Sequence, residues 1–94
     1  MKKQLLDSPK NQKAEVLFEL LQNDSISRMS IMNETGILNL TARISDLRIR
    51  HNLDIRCRKV LVKNKHGRPV SYGKWSLPEI QISDGLLIYQ EINK

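Results

Sequence analysis

Residues 27–52 read SRMSIMNETGILNLTARISDLRIRHN, and their pattern predicts two short helices joined by a tight corner. Ser27 suits the start of the first helix, because its hydroxyl can accept a hydrogen bond from a free backbone N–H in the first turn. Gly36 stands where that helix must end, and glycine tolerates the left-handed backbone that ends many helices. Asn39 is a residue type that caps the start of a second helix. These capping residues divide the stretch into helix, corner and helix.

The second helix of this pair has one apolar face and one small, polar face. The apolar face is a single stripe at helical period, formed by Leu40, Ile44, Leu47 and His51. The opposite face and its flanks carry Thr41, Ala42, Ser45, Asp46 and Ile49, with Arg43, Arg48 and Arg50 beside them. Two short helices, a glycine corner and small outward residues match the helix-turn-helix pattern. An ordinary helical hairpin with a solvated outer face is the alternative.

The segment before the helical pair predicts one core helix. Ser8 can cap it, with Pro9 at the first helical position, where the missing N–H of proline costs nothing. From there to about Gln22, apolar residues form one stripe at helical period. Residues 1–7 are expected to form a tail, and Ile26 a very short strand.

A β-hairpin is predicted directly after the helical pair. Asn52 can end the second helix in a left-handed conformation, and the apolar period then changes from 3.6 to 2 in residues 53–62. Residues 63–69 are rich in turn formers, and residues 70–77 return as a second strand. In this register Cys57 is expected to be a small core residue.

This order of elements predicts an α+β fold, a winged helix-turn-helix with a three-helix core and a basic β-hairpin wing. We assign residues 1–78 to this domain and residues 79–94 to an apolar C-terminal extension. The extension is expected to be a helix capped by Ser83 or a small hairpin turning at Asp84-Gly85. The helix is favoured because polar residues near the end interrupt any strand alternation. It either packs on the first helix or forms a homodimer contact.

The charge distribution indicates a polyanionic partner. The chain has a formal net charge of +6, but residues 43–74 alone hold ten Lys and Arg against two Asp, a net charge of +8. The other 62 residues carry −2. Such a concentration is the electrostatic footprint of a nucleic-acid binder. A membrane surface would require an amphipathic basic helix with aromatic anchors, which the pattern does not offer.

Composition argues against other classes of function. No apolar run approaches the roughly 18–20 residues of a membrane span, and the first ten residues lack the apolar centre of a secretory signal. The single cysteine excludes an internal disulfide and suits a reducing cytoplasm. Two His, one Cys and scattered carboxylates show no catalytic or metal-binding spacing, so we expect no enzyme activity, metal or cofactor. Four aromatic residues are few for binding single strands by stacking.

Candidate residues for DNA contact come from both helices of the pair and from the hairpin. Small outward residues of the second helix let it approach base edges, and the arginines beside them can contact guanine or phosphate, or pair with Asp46. The start of the first helix can meet a phosphate, and cations at the hairpin tip suit phosphate contact, although lysine also blocks edge pairing. The candidates are Arg28, Ser30, Asn39, Thr41, Ala42, Arg43, Ser45, Arg48, Arg56, Arg58, Lys63, Lys65, His66, Arg68 and Lys74.

The chain resembles a family of small winged helix-turn-helix proteins that is common in phages, prophages and other mobile elements. The resemblance covers roughly residues 14–77 and lies in Ser25-Ile26-Ser27, Gly36, the run ARISDLR at 42–48, and Leu53-Asp54-Ile55. Asn52 departs from the glycine that the family often has at this position. The resemblance implies DNA binding, in phage transcriptional regulation or in control of integration and excision.

The sequence therefore predicts a cytoplasmic, sequence-specific protein that binds double-stranded DNA and regulates transcription. One alternative is an accessory factor that bends DNA in site-specific excision. Another is a winged-helix module that binds a protein partner. Because residues 43–74 are strongly basic, that partner would have to be acidic. A homodimer formed through residues 79–94 is compatible with the DNA-binding roles.

Overall fold

The computed structural model describes residues 6–94, which form four α-helices, one 3-10 turn and a three-stranded antiparallel sheet. In chain order they are α1 (Gln12–Gln22), β1 (Ile26–Ser27), α2 (Arg28–Thr35), α3 (Leu40–His51), β2 (Arg56–Lys63), β3 (Pro69–Ser76), the 3-10 turn (Glu79–Gln81) and α4 (Ile82–Ile92). The sheet order is β1-β3-β2, so β3 is central. The α+β class is confirmed, and the element order is compatible with a winged helix.

A single core is built around α1. The apolar stripes predicted for the first helix and for the second helix of the pair both point into it, while His51 at the end of the second stripe is half-buried. The core residues are Ala14, Val16, Leu17, Leu20, Leu21, Ile26, Ile31, Ile37, Leu40, Ile44, Leu47, Leu53, Ile55, Leu77 and Tyr89. Because α3 turns its apolar stripe to α1, its opposite face is left to solvent.

The first helix begins later than the sequence pattern predicts. Asn11, not Ser8, is the N-cap, and its Oδ1 accepts from the backbone N–H of Ala14 at 2.8 Å. Residues 1–5 of the expected tail lie outside the described residues. Leu6 packs against the core and the carbonyl of Asp7 is hydrogen-bonded, so the tail prediction is wrong for these two residues.

Tertiary contacts with α4 explain the late start. The Tyr89 hydroxyl donates to the carbonyl of Asp7 at 2.6 Å, and the backbone N–H of Lys10 donates to Asn93 Oδ1 at 2.6 Å. Asn11 Nδ2 also donates to the carbonyl of Ile92 at 2.8 Å. These bonds hold residues 7–11 along the end of α4, where they cannot continue α1.

The C-terminal segment is a helix that packs on α1, so the hairpin alternative is wrong. Ser83 lies inside α4 and does not cap it. Gly85 is buried, and a Cβ at this position would lie 3.0 Å from Leu77 Cδ2 and 3.1 Å from Leu21 Cδ2. Glycine at 85 therefore permits the close approach of α4 to the core, and Asp84-Gly85 is not a turn.

The hairpin of β2 and β3 projects beyond the core. Its ladder runs from Arg56 opposite Ser76 to Lys63 opposite Pro69, and residues 61–72 are all exposed. The short strand predicted at Ile26 is confirmed as β1, which pairs with β3. Cys57 is exposed on edge strand β2, so its expected core position is wrong.

Candidate nucleic-acid interface

The start and end of α2 are fixed by the residues that the sequence indicated. The Ser27 hydroxyl accepts from the backbone N–H of Ser30 at 3.2 Å, and the Ser30 hydroxyl accepts from the backbone N–H of Ser27 at 2.9 Å. This capping box satisfies two of the N–H groups that a helix start leaves free. Gly36 ends the helix in left-handed backbone, with φ 76°. The predicted cap and corner are confirmed, and the hydroxyl of Ser30, a candidate contact, belongs to the cap.

The starts of α2 and α3 meet at one hydrogen bond between two candidate residues. Arg28 Nη2 donates to Thr41 Oγ1 at 3.0 Å, and both residues are exposed. Asn39 occupies the N-cap position of α3, but its exposed side chain makes no capping hydrogen bond. The predicted N-cap position is therefore confirmed, but the side-chain hydrogen bond expected of Asn39 is not formed.

The outer face of α3 is small and uncovered. Thr41, Ala42 and Ser45 are exposed as the stripe pattern predicted. Ile49 lies on the same side of the helix and is 75% exposed. The sequence pattern places Ile49 on this face, although Ile49 is not among the predicted contact residues. Its i+7 spacing from Ala42 indicates that the two side chains lie on the same side of the helix.

The one acidic residue on this face is held by two cations. Asp46 accepts from Lys13 Nζ of α1 at 3.1 Å and from Arg50 Nε at 3.0 Å. The hydrogen bond from Lys13, together with the charges of Lys13, Arg50 and His51, lowers the pKa of Asp46. Lys13 Nζ also lies 3.1 Å from His51 Nε2. The ionised carboxylate thus ties α3 to α1.

The two arginines expected to pair with Asp46 have other surroundings. Arg43 is half-buried, and its Nε is buried without a hydrogen-bond partner among the described residues. Arg48 donates from Nε at 2.8 Å and from Nη2 at 2.6 Å to the carbonyl of Ile55. The pairing with Asp46 is therefore wrong for both. Arg48 instead fastens α3 to the residue that precedes the hairpin.

The base of the hairpin holds two cations opposite each other. Arg58 on β2 faces Lys74 on β3 directly across the ladder, and like charges in such a pair are destabilising. Neither has an acidic partner among residues 6–94. Arg56 differs, because its Nη2 lies 3.0 Å from Asp54 Oδ2. An anion that contacted Arg58 and Lys74 together would relieve their repulsion.

The tip of the hairpin is a hydrogen-bonded turn that displays cations. Asn64 Oδ1 accepts from the backbone N–H groups of His66 at 2.9 Å and Arg68 at 3.0 Å. Gly67 has φ 78°, a conformation that glycine adopts without strain. The exposed candidates at this end are Lys63, Lys65, His66 and Arg68.

These elements join into one strip, which we call the basic strip. Thr41 at the start of α3 contacts Arg28, and Arg28 follows Ser27 of β1. Ser27 pairs with Lys74, which pairs in turn with Arg58. From that row the hairpin continues for five residues to Lys63, about 17 Å at 3.3 Å per residue; because strand side chains alternate, Lys63 lies on the other face from Arg58, and the strip follows the hairpin's backbone to the tip. The basic strip therefore runs from α3 to the hairpin tip.

A groove of about 890 Å³ separates α2 from β3 beside the basic strip. Its walls include Met29, Met32 and Tyr72, which are 63%, 38% and 38% exposed. The two walls are about 40 residues apart in the chain. Local sequence patterns could not reveal the groove, because only the pairing of β1 with β3 brings the walls together.

Residues 6–94 contain no group of three or more His, Cys, Asp or Glu placed to hold a metal ion. None of their helices is long and apolar enough to cross a membrane. No family model, curated protein or solved structure matches the chain.

The placement of Arg48 gives a first prediction. Arg48→Ala should lower the free energy of unfolding by about 1–2 kcal/mol, because it removes a charged donor from the carbonyl of Ile55. Urea denaturation followed by circular dichroism measures the change. The matched variant Arg50→Ala removes the same charge from the same helix and should cost less, since Arg50 pairs only on the surface with Asp46. Equal losses in the two variants would contradict an anchoring role for Arg48.

Proposed function

We propose that this chain is a winged helix-turn-helix protein of the phage or mobile-element type that binds specific sites on double-stranded DNA and regulates transcription. The basic strip is the observation that carries the proposal. It combines an uncovered helix face of small residues with a cationic hairpin, two features that suit base edges and phosphates respectively. A cytoplasmic location belongs to the same proposal, since the target DNA lies there.

In the proposed complex, α2 and α3 form the helix-turn-helix and the β2–β3 hairpin is the wing. The outer face of α3 enters the major groove, which is wide enough to admit a helix. Arg28 and the start of α2 then lie against a phosphate, where backbone N–H groups and the helix dipole favour an anion. The wing follows the backbone from the Arg58–Lys74 row to its tip. The spacing of these elements supports one continuous contact along the duplex.

Two DNA-binding roles share this interface. A regulator of transcription and an accessory factor in excision both need a specific duplex contact, and they differ in how far they bend the DNA. Regulation is the role we propose, with excision as the alternative. Gel mobility of circularly permuted fragments distinguishes them, because a strong bend changes mobility with the position of the site.

A protein-interaction module is a second candidate function, favoured by the groove between α2 and β3. Met29 and Met32 are flexible apolar side chains of the kind that adapt to protein partners. Arg28 at the rim would suit an acidic partner. We rank this candidate lower because the groove accounts for none of the cations at the hairpin tip.

We also propose that α4 mediates a homodimer on DNA. Leu87 is 66% exposed on the side of α4 opposite to buried Gly85 and Tyr89, and Ile80 just before the helix is 88% exposed. Two large apolar side chains seven residues apart provide a patch for a second copy. A dimer would double the number of bases contacted and so raise specificity.

Neutralising the hairpin tip tests the proposed DNA binding. Wild type should bind a labelled random duplex better than its single strand, with a log–log salt slope of about −4 to −6 by anisotropy. In Lys65→Gln/Arg68→Gln, the slope should become shallower by about 2, because two phosphate contacts are lost.

The control is Lys10→Gln/Lys94→Gln, which removes the same charge near the α1–α4 contact and should leave the slope unchanged. If both double variants changed the salt slope by the same amount, the net charge of the protein, and not a contact at the hairpin tip, would explain the binding. Absence of duplex binding at low salt would contradict the proposed function.

Charged substitutions at Ile80 and Leu87 test the dimer. Ile80→Glu/Leu87→Glu should convert a particle of about twice 10.9 kDa into a monomer by light scattering, because each glutamate would be desolvated at the contact. Deletion of residues 79–94 is unsuitable, since it would also remove Tyr89 from the core. Leu61→Glu, on the exposed hairpin, is the control and should leave the mass unchanged. A monomeric wild type on and off DNA would refute the dimer.

A further inference from the structure

The outermost line of α3 carries two aliphatic side chains. Measured around the helix at 100° per residue, Ala42 and Ile49 lie opposite the buried stripe and nearly above each other. Ser45 lies to one side of this line and Asp46 to the other. Both aliphatic residues line a shallow depression of about 550 Å³ on the helix surface. Any ligand that binds the outer face of α3 therefore meets Ala42 and Ile49 first.

A single exposed isoleucine is common on protein surfaces and needs no ligand. Ile49 differs in its surroundings, because Arg43 and Arg50 line the same depression together with Asp46, the partner of Arg50, and these three charges sum to +1. This combination of an apolar centre with cationic flanks fits a ligand that has apolar groups set within a polyanion. The charge around the depression therefore favours DNA over an uncharged protein surface.

The major groove of DNA offers only one apolar group, the C5 methyl of thymine. Alanine and isoleucine cannot form hydrogen bonds with base edges through their side chains, so methyl contact is the readout open to them. Seven residues of α-helix span about 10.5 Å, which equals about three base steps of 3.4 Å. The two side chains can thus meet methyl groups at two separate positions.

We propose that Ala42 and Ile49 read thymine methyl groups at two positions about three base pairs apart in the binding site. This inference rests on the proposed duplex DNA binding and adds the chemical basis of its specificity. Ser45, between the two positions, supplies a hydroxyl that can hydrogen-bond to a base edge. Asp46 stays with Lys13 and Arg50 and does not read a base.

Replacement of thymine by deoxyuracil tests the proposal, because it removes the methyl group and leaves base pairing intact. Preferred sites are first selected with the full chain from a random duplex library and should be enriched in thymine at two positions about three base pairs apart. Each thymine is then replaced in turn, and affinity is measured by anisotropy. Wild type should lose about fourfold at each contacted thymine, the equivalent of one buried methyl group.

Ile49→Ala should bind the thymine site more weakly than wild type does. At one of the two positions, replacing thymine by uracil should no longer change its affinity. Such a double-mutant cycle assigns the contact to that side chain and that methyl. Gln12→Ala, which truncates an exposed residue of α1 outside both the basic strip and the proposed dimer contact, should retain the full uracil effect. Unchanged urea midpoints show that the fold is intact.

The outcomes separate this inference from the function on which it rests. Specific duplex binding with no uracil effect, or with the same uracil effect in wild type and Ile49→Ala, overturns methyl reading and leaves DNA binding in place. Absence of any duplex binding overturns both, and capture of a protein by the α3 face would then explain the apolar line.

Discussion

One carbonyl group sets the direction in which the hairpin leaves the helices. Ile55 accepts two hydrogen bonds from the guanidinium of Arg48, which stands one turn before the end of α3. Asn52 ends α3 in left-handed backbone, and the side chains of Leu53 and Ile55 enter the core directly afterwards. The connection therefore has little freedom, and α3 and the hairpin are presented together. A long contact across both elements depends on this junction.

Much of the fold follows from local chemistry that a sequence displays. Ser27 and Gly36 fix the ends of α2 through a side-chain cap and a left-handed backbone, requirements that few other residues meet. The buried stripe of α3 follows from helical period, and its outer face is exposed as a result. The hairpin is encoded by alternation and by the turn at Gly67. The position of the basic strip could be anticipated for these reasons.

Tertiary contacts decided the features that local patterns missed. Ser8 resembles a cap, but its segment is bound to the end of α4 and Asn11 starts the helix instead. Asp84-Gly85 resembles a turn, but glycine is needed at 85 because a larger side chain would collide with Leu21. Arg48 was expected to pair with Asp46 as an alternative to DNA, but its acceptor is the carbonyl of Ile55, seven residues further along the chain. Partners of this kind depend on the packed structure.

In the proposed complex, α2, α3 and the hairpin form one surface for double-stranded DNA. Titration of the 15N-labelled chain with a short duplex at low salt tests it most directly, because amide shifts report contacts residue by residue. We expect the changes to cluster at the start of α2, along the outer face of α3 and at residues 63–68, with α4 unaffected unless a dimer forms. Changes confined to α1 and α4, or no change at low salt, would contradict DNA binding by this surface.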